Sequence, residues 1–194
     1  VTLTSGIDND TIIFTTSANS QAINFDDTGN SILIADNESL TLVAGNAGAD
    51  SGNIGVDGVL NFGTAGDLTV TRGLTTTFAG AFSAENFTQT AGQTATTFSG
   101  LIDVETAFDF NGAALTITGT GTSDVGGTMS VTNSGTFTLD QASVLTVGTL
   151  TQDGSGSNVI GDDITADTGG ITFAETVTLT SGIDNDTIIF TTSA

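Results

Sequence analysis

Short runs in which an apolar residue alternates with threonine or serine recur from one end of this 194-residue chain to the other. VTLT (residues 1–4), LTLV (40–43), DLTVT (67–71), ALTIT (114–118), MSVT (129–132), TFTL (136–139), VLTV (144–147) and TVTLT (176–180) all show it. A period of two sends successive side chains to opposite faces, so each run reads as a strand with one face buried and one wet. Threonine suits the wet face, because its branched Cβ favours extended backbone and its hydroxyl meets water. Between the runs lie SGIDND, DDTGN, AGNAGADSGN, GTAGD, TGTGTSDVGG, TNSG, QDGSGSN and DTGG. These are turn formers: glycine supplies positive φ, and Asn or Asp bonds its own backbone. No stretch carries a helical stripe.

Strands spaced about eight to twelve residues apart fit two architectures, a β-sandwich and a β-solenoid. A sandwich usually carries a large aromatic anchor, often Trp; here phenylalanine is the only aromatic, and its twelve copies are widely spread. In a solenoid every coil stacks on the last and needs slim apolar residues inside with polar corners, which fits better. The sequence therefore predicts an all-β, parallel β-solenoid, with tandem β-sandwiches as the alternative. Phe25, Phe62, Phe78, Phe98, Phe110, Phe137 and Phe173 are expected to be mostly buried.

A second feature concerns organisation. Residues 1–18, VTLTSGIDNDTIIFTTSA, return letter for letter at 177–194. A divergent internal repeat would have drifted. Residues 1–176 thus read as one complete tandem-repeat unit and 177–194 as the start of the next, in a longer array of near-identical units. The competing reading is a re-appended start serving as a cap. With coils of ~20 residues a unit holds about nine, and stacking at ~4.8 Å gives a rise of about 43 Å. The two copies are then expected in equivalent environments, related by that translation and a modest twist.

Composition removes many functions. There is no Cys, His, Trp, Tyr, Pro or Lys, and Arg72 is the only base. Ser–His–Asp triads, thiolate nucleophiles, zinc sites and disulfides are excluded. One arginine against a formal charge of −21 excludes nucleic acid as a partner and disfavours anionic lipid. No apolar run approaches the ~18 residues of a spanning helix, so no membrane insertion is expected in this segment. The imbalance comes from missing bases, since only 12% of residues are charged. Mean hydropathy of +0.22 argues against disorder.

ITFAETVTLTSG (171–182), FSGLIDVETAFDFNGAALTITGTG (98–121) and GTMSVTNSGTFTLDQASVLTVGTLTQDGSG (127–156) resemble the repeats of giant bacterial surface proteins. They are similar in style to filamentous haemagglutinin-like adhesins and autotransporter passenger β-helices. The likeness is one of texture over most of the chain, without an invariant motif. It implies a right-handed parallel β-helix, export across a bacterial envelope, and a role as an adhesin or surface fibre.

Carboxylates are the only catalytic groups on offer, in the pairs Asp8/Asp10, Asp26/Asp27, Asp103/Glu105 and Asp162/Asp163. Parallel β-helices host polysaccharide hydrolases with paired acids. Asp103 and Glu105 fall on one strand face, roughly 6.5–7 Å apart along the chain. The absence of Trp and Tyr platforms and of bases argues for solvated acids and against an enzyme. Calcium is the better use: SGIDNDTII, at 5–13 and again at 181–189, resembles the G-x-D-x-U turn of calcium-binding β-rolls. Asp8, Asp10, Asp184 and Asp186 are its candidate ligands for one structural Ca2+ per unit, against a metal-free Asx-turn. NDT (9–11), NES (37–39) and NFT (86–88) match the glycosylation sequon, a pattern common by chance in such a chain. The expected role is a structural component of an extracellular bacterial fibre, stalk or sheath. Its partners are neighbouring repeats or identical subunits end to end. A lateral face binding cell-surface glycans and a self-assembling filament subunit are the alternatives.

Overall fold

The structure, a computed structural model, describes residues 2–3, 10–18, 20–26, 29–45, 51–181 and 187–193. Among them every regular element is a strand, and every strand ladder is parallel. Partners lie a whole coil apart in sequence, the step being short at Asp67↔Asn86 and long at Thr2↔Leu33. This is a parallel β-solenoid, and the antiparallel sandwich alternative falls with it.

Each coil contributes to three columns of stacked strands. The first column runs through Thr2, Leu33, Asn61, Ser83, Asp103, Asp124, Thr146, Thr165 and Thr191. The second runs through Ile12, Leu40, Leu68, Phe87, Phe108, Met129, Leu150 and Ile171. The third runs through Ile23, Ile54, Thr76, Thr96, Leu115, Phe137, Asn158 and Val177. Corners join them. The register breaks between Val125 and Thr128, where strand Gly121–Asn133 passes from the first column to the second. At the corner from third to first, Gly58, Gly80, Gly100 and Gly119 stack so closely that a Cβ on any of the last three would strike the backbone of the one before. Glycine is the only residue this close approach admits.

Alternation decides what is inside. In strand Ser31–Ile34 the apolar run ILI splits: Ile32 and Ile34 are buried while Leu33 is 39% exposed. Outward threonines stack in the third column at Thr77, Thr97, Thr116 and Thr138. One level of the core is filled by three phenyl rings, Phe82, Phe87 and Phe98, one from each column. Phe78 stacks on Phe98 at 4.7 Å and 12°, and Phe108 lies 4.5 Å from Phe87. The small side chains of Ala84 and Thr96 at the same level make room for them. Phe62, Phe78, Phe98, Phe110 and Phe137 are buried as expected, and so are Phe82, Phe87 and Phe108. Phe25 and Phe173 are only half-buried because they lie in the outermost coils, covered on one side.

Amides also enter the core, at the corner from second to third column. Gln152 Nε2 donates to Asn133 Oδ1 at 2.8 Å and to the carbonyls of Gly154 and Gly156. Its Oε1 accepts from Asn158 Nδ2 and from the amide of Ala174, both at 3.2 Å. All three side chains are at most 2% exposed. The cluster fixes both the corner and the coil below it.

The expected relation between the two copies needs correction. Leu3 pairs with Ile34 in the first column, whereas its counterpart Leu179 pairs with Ile160 in the third. Phe14 pairs with Leu42 in the second, whereas Phe190 pairs with Ile164 in the first. The same side chains point inward in both copies, but each copy occupies a different face. The expected coil number was too high because coil length is not uniform. The opening step from Thr2 to Leu33 takes far more chain than the later one from Phe87 to Phe108.

Candidate functional site

The first column turns its polar side outward and stacks a ladder of polar and acidic groups. Alternation places Asn61, Ser83, Asp103 and Asp124 on that outer face, one above another. Ser83 Oγ donates to Asn61 Oδ1 at 2.9 Å, so these rungs are tied by side chains as well as backbone. Asn61, Thr64, Ser83, Ala84, Asp103 and Glu105 line a groove of about 310 Å³. Asp103 holds its ladder position, while Glu105 sits where the register breaks between Val104 and Ala107. The expected pair therefore shares one groove, whose lining also includes the buried Phe62.

Asp124 is the member that sequence reading missed. It stacks directly on Asp103, one coil earlier, in a parallel ladder whose rungs are ~4.8 Å apart. Partial burial raises its carboxyl above the usual value, and the charges of Asp103 and Asp167 push the same way. The folded chain thus holds this proton to higher pH than the unfolded chain, whose carboxyl titrates near 3.8. Its contribution favours folding as pH falls toward 3.8 and is lost as pH rises through the raised value. Asp124→Asn should flatten that part of the stability profile, leaving the fold equally or slightly more stable at neutral pH. Urea melts at intervals from about pH 4 to 7 check this; parallel profiles for the two proteins would refute it.

The remaining acids are dispersed. Asp162 Oδ1 accepts from the amide of Asp163, and Asp163 Oδ1 accepts from the amide of Ile189 at 2.7 Å, so this pair ties down backbone. Asp10 is exposed, and its carbonyl accepts from the amide of Ser39. Its candidate co-ligands Asp8, Asp184 and Asp186 lie outside the described residues, as does Asp27 beside Asp26. Among the described residues no three acids gather into a group that could hold a metal ion. Arg72 donates from Nη1 to the carbonyl of Gly45 at 3.2 Å. The outer face therefore offers carboxylates, amides and hydroxyls to solvent, suited to hydrogen bonding.

Against known proteins, the chain matches no family model, no curated protein and no solved structure.

Proposed function

We propose that this chain is a unit of a non-catalytic, extracellular bacterial surface fibre, stalk or sheath, assembled from tandem β-solenoid repeats. The observation that supports it most is the return of residues 1–18, unchanged, at 177–194 in a fold that grows by stacking. A solenoid lengthens without limit as coils are added, each covering the open edge of the last. The outermost described coil leaves Leu179 53% and Phe190 42% exposed, apolar surface of the kind a further coil covers. Length and rigidity would then be the function. The acidic surface keeps neighbouring fibres apart.

Denaturing electrophoresis of the native material, with electron microscopy, tests this. A polypeptide of hundreds of kilodaltons forming regular fibres is expected. A species near 19.3 kDa that assembles into filaments would instead support the subunit reading, and the same species without filaments would sink both. The groove at Asn61, Ser83 and Asp103 favours a second reading, lateral binding of cell-surface glycans. Binding on a glycan array that is lost in Asp103→Asn would establish it.

Chelation offers a further check. The metal-free reading of SGIDND predicts that EDTA leaves the melting temperature unchanged. A drop reversed by Ca2+, and abolished in Asp10→Asn, would assign structural calcium to these turns.

A further inference from the structure

The two copies of the duplicated segment differ by a countable number of strands. Residues 2–3 form the first strand of the first column, and residues 178–179 lie in the third column of the eighth coil. Stepping through the columns in chain order, that is 23 strands. Strand Thr11–Thr15 opens the second column, and Phe190–Thr192 occupies the first column of the ninth coil, which is again 23. Both strands of the duplicated segment give the same interval. It is not a multiple of three, so one repeat unit advances seven coils and two strands.

We propose that successive units join through the coil carrying 177–192, each turned by one third of a circle relative to the unit before. This rests on the tandem-array reading and adds its geometry. The partner is a following copy of the same sequence. In the first copy, residues 2–3 are covered by Ser31–Ile34 and Thr11–Thr15 by Ser39–Val43. The following unit's counterparts of those two strands therefore cover 178–179 and 187–191, one column displaced. The displacement is tolerated because alternation alone decides which side chains face inward. Leu3 and Leu179 both do, and so do Phe14 and Phe190, whichever column they occupy.

The consequence is a three-fold screw. One unit rises about 37 Å at ~4.8 Å per coil, and three units, about 110 Å, restore the starting face. The Asp103–Asp124 face then appears on all three sides of the fibre in turn.

The test uses the absence of native cysteine. In this chain, Thr165→Cys with Thr191→Cys places two outward residues in direct register. An unrotated stack would instead set Phe190 over Phe173 and Thr191 over the exposed Ala174 in the second column. Adjacent parallel partners lie within disulfide reach. Oxidation followed by mass spectrometry should give the 165–191 disulfide and none in the Ala174→Cys/Thr191→Cys chain. The reverse pattern, or neither disulfide, overturns the rotation. In native fibres, layer lines should index on about 110 Å, the rise of three units at ~4.8 Å per coil. Indexing on the single-unit rise of about 37 Å alone would also overturn it. Native protein lacking a second unit defeats the array reading, while the disulfide result still reports on the column shift.

Discussion

Phe98→Ala is expected to destabilise the fold by about 3–5 kcal/mol, close to the upper end for a buried phenyl group. The ring is fully buried, stacks on Phe78 at 4.7 Å, and lies 5.4 to 5.8 Å from Phe87, Phe108 and Phe82. Those neighbours are themselves rings anchored across the three columns, and glycine corners fixed by backbone contact prevent the coil from shrinking. The cavity therefore stays open instead of collapsing. Phe98→Leu, which keeps most of the volume, should cost markedly less, about 1–1.5 kcal/mol. Urea unfolding checks both. A loss below about 1 kcal/mol for the alanine variant would show that the core relaxes freely around the site.

Gln152→Leu should cost about 3 kcal/mol although it puts a more apolar side chain into an apolar interior. The substitution strips Asn133 Oδ1 of its donor and Asn158 Nδ2 of its best acceptor, and both amides are buried. It also frees two corner carbonyls, while the amide of Ala174 keeps its bond to the backbone carbonyl of residue 152. Gln141→Leu is the matching control, since that amide reaches Thr180 from an exposed position. There the change should stay within about 0.5 kcal/mol. Equal effects at the two positions would mean that the buried cluster is not what holds this corner.

How far the sequence disclosed this molecule depends on whether the signal is local. Alternation is local, so the strands from Val59 onward and most buried phenylalanines could be read directly. Stacking is not local. VLTVGTLTQDGSGSN ends in what looks like a polar turn, yet Gln152 and Asn158 face inward there because the coils above and below supply their partners. The pairs singled out among the acids were sequence neighbours. The carboxyl that is shifted, Asp124, is raised by partial burial and then by the charge of Asp103, one coil away. A search for acids one coil apart would have found it, but only once the coil length was known. That length was also what misled, because it varies: the step from Leu40 to Leu68 is a third longer than that from Phe87 to Phe108. Assuming one length throughout therefore put the second copy on the wrong face.

Because strands lie across the stack, the backbone hydrogen bonds that join coils run along its axis. Tension on the two ends loads these bonds one rung at a time, as in peeling. Bending or compression instead works against the packed interior as a whole. Each detached coil, such as the one from Met129 to Leu150, would release about 65 Å of slack for a rung of ~4.8 Å. If the proposed array exists, it would stand stiff at rest and lengthen in small steps when pulled. Coil length would set the length of each step.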